Sequence, residues 1–133
     1  MAINLIKGQR VEIESSLSRL VVEIGWKVNP NAEPPYDLDA SIFLLGNSGQ
    51  IEHEADFVFY GSSNRIPALD EHGNQLYDRD GNPITRPISL DKSTLGSIDD
   101  IGEDEDDTGE GNEEIEVDLT KTSDSATEIL FTV

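Results

Sequence analysis

Apolar and polar residues alternate with a period of two along much of this chain. Arg10–Glu14 reads RVEIE and Glu114–Leu119 reads EIEVDL. In an extended strand alternate residues share a face, so each stretch predicts a strand with one covered side. Arg19–Trp26 (RLVVEIGW), Asp37–Gly46 (DLDASIFLLG), Ala55–Gly61 (ADFVFYG) and Glu128–Val133 (EILFTV) are rich in β-branched and aromatic strand formers. No segment holds a 3.6-residue period over three turns. Short strand-like runs divided by Gly, Pro, Asn and Ser predict an all-β sandwich or barrel.

The punctuation between the runs is specific. GNSGQ (Gly46–Gln50) reads as a hairpin loop between two strong strands. NPNAEPPY (Asn29–Tyr36) is a proline-stiffened loop, because the residue before each Pro is pushed towards extended geometry. DEHGNQL (Asp70–Leu76) and DRDGNPI (Asp78–Ile84) share the pattern D-x-x-G-N-x-[LI] and read as two turns flanking a small hairpin. DRDGN is not an EF-hand loop: that loop needs Gly at its sixth position, and Gly81 is fourth from Asp78.

Inside the strand pattern, carboxylates stand where apolar residues are expected. Asp37 and Asp39 lie two apart, on one face of a strand whose continuation, SIFLL, is nearly all apolar and reads as buried on both faces. Asp56 holds the same position at the start of ADFVFY. Charges so placed repel one another and resist desolvation, and a divalent cation would resolve both costs. Trp26, Phe43, Phe57 and Phe59 read as core.

Composition sharpens this picture. The chain has 133 residues, one domain's worth, with a formal net charge of −19. Such a polyanion repels nucleic acid and anionic lipid; cations and basic surfaces are the ligands it favours. With no cysteine there is neither a disulfide framework nor thiolate chemistry. No stretch is apolar for long enough to span a membrane, and the chain reads as soluble and cytoplasmic.

The acidity is concentrated. Glu103–Asp118 holds ten acidic residues and no basic one. By composition alone such a run is a solvated loop. As a cation cage it also has the necessary parts. Gly109 and Gly111 free the backbone to turn its carbonyls inward, and Asp107, Glu110, Asn112, Glu113 and Glu114 offer side-chain oxygens. Ca2+ takes six to eight oxygen ligands, whereas Mg2+ prefers fewer protein ligands and keeps its waters. His53 and His72 are isolated and there is no Cys, which disfavours softer metals.

Taken in order, LIKGQRVEI, EIGWKV, YDLDASIFLL, ADFVFYG, DDTGEGNEEIEVDL and EILFTV resemble the TerD family of tellurium-resistance and stress-response proteins. The resemblance implies a β-sandwich with acidic calcium-binding loops clustered at one end. It places Asp37, Asp39 and Asp56 at that end, with Asp107, Thr108 (through its carbonyl), Glu110 and Glu114 in the loop, around one or two Ca2+ ions. It also implies a non-enzymatic module acting through protein partners.

This chain departs from the family pattern in three places. The GEGNEE loop is contracted, with Asn112 where Asp is common. Ser62–Ile98 is longer than the family's connection and reads as a hairpin insertion. The family domain continues with further strands, so residues 1–133 read as one C-terminally short domain. An apolar edge strand left without those neighbours invites self-association or a protein partner. Two other functions compete: an assembly protein whose acidic loop only confers solubility, and a hydrolase using Asp37 and Asp39 as acid and base.

Overall fold

The computed structural model describes residues 3–27, 38–98 and 110–133. Among them the backbone is mostly extended or turning, as the period-two patterning requires, with a single turn of 3-10 helix at Glu54–Asp56. The strands are β1 (Arg19–Lys27), β2 (Ser41–Leu45), β3 (Phe57–Val58), β4 (Arg65–Pro67), β5 (Thr85–Pro87), β6 (Thr94–Leu95), β7 (Glu110–Asp118) and β8 (Glu128–Thr132). Strand β7 lies between β1 and β6 in one antiparallel sheet, and β2 lies between β3 and β8 in a second. β4 and β5 form a separate two-stranded ribbon.

Burial follows the alternation. Ile115 and Val117 of β7 are fully buried, and so is Ile42 of β2, with Leu44 beside it almost so. Ile42 and Val58 from one sheet meet Ile115 and Val117 from the other in a single cluster, against which Leu20, Ile24, Ile129 and Phe131 pack. Two sheets sharing one apolar layer make a sandwich, and the fold is all-β. The longest pairing is β1 with β7, running from Arg19 opposite Asp118 to Lys27 opposite Glu110.

Three expectations meet a different outcome. RVEIE is in no strand; every residue from 3 to 19 is exposed, Val11 and Ile13 included. Alternation supplies a face, but a strand also needs an edge to pair with, and the described residues bring none to it. Strand β2 is fully covered on one face only, since Phe43 is half-buried. Its outer face carries a row of parallel rings, with Phe43 to Phe57 and Phe57 to Phe59 each 4.2 Å between centroids. These phenylalanines therefore form an outer aromatic layer instead of the core. The side chain of Trp26 lies outside the described residues.

The third concerns Ser62–Ile98, where the expected turns form but more than a hairpin results. Asp70 Oδ1 accepts the N–H groups of His72 and Asn74, and Asp78 Oδ1 those of Asp80 and Asn82. Gly73 and Gly81 sit at φ +81°, where a side chain would be strained. The two turns bring three segments together in a ring: Ala68 N–H donates to Ile84, Ile84 to Leu76, and Leu76 to Ala68. The Gln75 amide nitrogen lies 2.9–3.1 Å from the carbonyl oxygens of those same three residues. The end of the stretch joins the main sheet, since β6 pairs with β7.

Candidate functional site

Glu113 interrupts the apolar side of β7. It lies two residues before Ile115 and points the same way, and it is only 6% exposed. Its Oε2 accepts the Ala40 N–H at 2.7 Å, linking the first part of β7 to the residue that precedes β2. A carboxylate so buried requires such donors. Asp39 is adjacent, exposed, and lines the same recess together with Glu113, Phe59, Tyr60, Pro87, Gly96 and Ser97. The recess is small, about 10 Å3, room for one water-sized body. Gly96 is needed for the approach: a Cβ there would stand 2.4 Å from Pro87 Cγ.

Of the other predicted ligands, Glu114 and Asp56 are described, and neither joins this pair. Glu114 projects to the opposite face of β7, because neighbours on a strand alternate. There it stands across from Glu23 on β1. A carboxyl–carboxyl hydrogen bond with Glu23 is the main cause raising its pKa above the ordinary value, helped by desolvation and by the negative charges of Glu23 and Glu116; Arg86 opposes the shift. One cation cannot be held by both Glu113 and Glu114 without distorting this strand.

Asp56 is at the other end of β2. The pairing of Ile42 with Val58 and of Phe43 with Phe57 carries Asp56 towards Leu44, away from Asp39. Asp39 lies five positions before Leu44, about 17 Å in extended chain. Asp56 closes its own turn, its Oδ2 accepting the N–H groups of Glu52 and His53. Asp37, Asp107 and Thr108 lie outside the described residues, as do the side chains of Glu110 and Asn112. Among the described residues no group of three or more His, Asp or Glu side chains is placed to hold a metal.

Asp56 lines a second, larger recess of about 400 Å3 with Leu44, Glu52, His53, Leu90, Asp91 and Ser123 among its walls. Asp91 is a structural residue that the strand pattern does not reveal. Its Oδ1 accepts Ser89 Oγ at 2.6 Å and the Ser93 N–H at 2.9 Å, and its Oδ2 accepts the Ser123 N–H at 2.9 Å. Burial pushes its pKa up, but the hydrogen bonds from Ser89, Ser93 and Ser123 outweigh burial and hold it below the ordinary carboxylate value. The signal was local: an Asp two residues from a Ser on either side, SLDKS, is a turn-forming pattern.

Chemically, the Asp39–Glu113 recess offers hard oxygen donors, the donor type that suits Ca2+. In number, two carboxylates fall short of a complete calcium shell. The other oxygens would have to come from backbone, water or the loop before β7.

An all-β sandwich with a carboxylate recess between β7 and the segments flanking β2 and β3 defines the class. The chain belongs to the TerD family: the family model, described as the TerD domain, matches residues 1–133. It is similar to the tellurium resistance protein TerD of Alcaligenes sp, 31% identical over 76% of this chain and 55% of that protein. It is similar to the tellurium resistance protein TerD of Serratia marcescens, 30% identical over 68% of this chain and 50% of that protein. General stress protein 16U of Bacillus subtilis (strain 168) is 41% identical over 45% of this chain and 33% of that protein. The chain thus spans about half the length of the TerD proteins it matches. No solved structure matches it. Among the described residues no helix is long and apolar enough to cross a membrane.

Proposed function

We propose that this chain is a non-enzymatic Ca2+-binding module of a tellurite-resistance or stress-response system, acting through protein partners. The observation that carries the reading is the convergence of Asp39, just before β2, and Glu113, within β7, on one recess. Asp39 and the loop before β7 would hold the ion, with Glu113 fixing the strand from which that loop departs. The bound cation would neutralise a local excess of negative charge and lock the loop against the sandwich. A recess of that size suits a single ion. The printed names of the TerD relatives and of the stress protein support the physiological setting.

Calorimetric titration of metal-free protein with Ca2+ tests the reading. Asp39→Ala is expected to weaken binding at least about tenfold, or 1.4 kcal/mol. Glu105→Ala, in the flanking acidic run, is expected to change it little. No heat of binding, or equal losses from the two substitutions, would replace a defined site with a diffuse cloud of counterions.

A further inference from the structure

The recess beside Asp39 and Glu113 is not built by the sandwich alone. Its other walls include Tyr60, Pro87 and Gly96. Pro87 ends β5, so it belongs to the two-stranded ribbon, and the other two are points at which the ribbon is tied down. Arg65 of β4 makes the first tie. Its Nη1 donates to the Tyr60 carbonyl at 3.0 Å, while its Nε and Nη2 donate to the side chain and carbonyl of Thr85 on β5 at 2.7 and 3.0 Å. Arg86 of β5 makes the second. Its Nε donates to the Gly96 carbonyl at 2.7 Å and its Nη1 to the Glu116 carboxylate of β7 at 3.3 Å. The Gly96 N–H returns a bond to the Pro87 carbonyl at 2.8 Å.

Strands β4 and β5 pair only with each other. A two-stranded ribbon is marginal in water by itself, so its order depends on what it is tied to. Seating the ribbon also completes the recess, because Pro87 forms a wall only when the ribbon is in place. A cation that binds the complete recess favours the seated ribbon, and by reciprocity the seated ribbon tightens the hold on the cation.

We propose that Arg65 and Arg86 are positioning residues that couple cation binding beside Asp39 to the order of the β4–β5 ribbon. A guanidinium only donates hydrogen bonds and cannot ligate a cation, so both residues act through the walls they hold. The proposal rests on the calcium reading above and adds the element that carries occupancy to the surface, where Leu69 and Tyr77 stand exposed in the connection from β4 to β5.

Hydrogen exchange of the full chain with and without Ca2+ tests the coupling. Exchange at Ala68, Leu76 and Ile84 should slow at least about fivefold in saturating Ca2+. The hydrogen-bonded N–H groups of Gly46 and Thr127, at the far end of β2 from Asp39, should be little changed. Asp39→Ala should abolish the slowing. In calorimetric titration Arg65→Lys and Arg86→Lys, which keep the charge but lose the planar fork, should each raise the Ca2+ dissociation constant at least about fivefold. Arg65→Ala should raise it too, although by charge alone removing a cation near an acidic recess would tighten Ca2+. All three variants should keep the parent's cooperative thermal melt. If Ca2+ binds the parent but exchange in the ribbon is unchanged, or slows equally at Gly46 and Thr127, the coupling is overturned and the calcium reading stands. An Arg65→Ala variant that binds Ca2+ as tightly as the parent, or more tightly, would overturn it in the same way. No heat of binding in the parent would overturn both.

Discussion

Glu113 and Glu114 are neighbours in sequence with opposite surroundings. Glu113 turns inward and is satisfied by the Ala40 N–H; Glu114 turns outward and shares a hydrogen bond with Glu23. Because the folded-state pKa of Glu114 is raised above its ordinary 4.5, the folded chain holds that proton more tightly than the unfolded one. Its contribution is fully present below pH 4.5 and is lost as the pH rises through the folded value. At neutral pH the two carboxylates simply repel. Glu114→Gln is therefore expected to raise stability at pH 7 by up to about 1 kcal/mol, the range for a cross-strand pair. The gain should shrink in high salt and vanish in acid. Thermal melts across pH check this, and a Gln variant less stable than the parent at pH 7 would show the pair to be attractive.

At the scale of elements, two side chains tie loops that the strand pattern leaves unexplained. Asp91 joins the turn between β5 and β6 to Ser123, in the connection from β7 to β8. Its lowered pKa has the opposite consequence to that of Glu114. The stabilisation is present above the ordinary value of 3.8 and is lost as the pH falls through the folded one. Asp91→Ala should cost about 1.5 kcal/mol, at the low end for charged hydrogen bonds because the group is partly exposed. Urea titrations should find that cost at pH 7 and much less of it in strong acid. Gln75 plays a comparable part in the ribbon. Replacing it with Ala leaves three converging carbonyl groups without their shared donor. Hydrogen exchange at Ala68, Leu76 and Ile84 should quicken markedly while the Ile42–Ile115 core stays protected. Loss of protection in both places at once would make the ribbon part of the main cooperative unit.

For the whole molecule the governing quantity is charge. A chain at −19 repels itself when compact, and any cation bound only by the folded state is stabilising. Millimolar Ca2+ is expected to raise the melting temperature clearly above that in chelator, with Mg2+ doing much less at equal ionic strength. At a hundredfold excess over the dissociation constant the gain is about 2.7 kcal/mol. Identical melting curves in Ca2+ and in chelator would refute calcium binding by the native fold, and equal gains from Ca2+ and Mg2+ would reduce the effect to screening.

Much was legible in the residues themselves. The all-β class, the strands at 19–27, 41–45 and 128–132, the Asp-Gly-Asn turns and the family followed from period-two alternation, turn chemistry and ordered motifs, all properties of neighbouring residues. Pairing and facing were decided only in three dimensions. A carboxylate at the start of an apolar strand looks the same in sequence at Asp39 and at Asp56, yet the antiparallel register of β2 and β3 sends them to opposite ends. The local pattern of RVEIE is that of a strand, and it stays exposed because the described fold brings no edge beside it. Alternation tells which residues share a side; which partner lies on that side depends on contacts between residues far apart in the chain. That is why Glu113 meets Ala40, seventy-three positions away, and Glu114 does not.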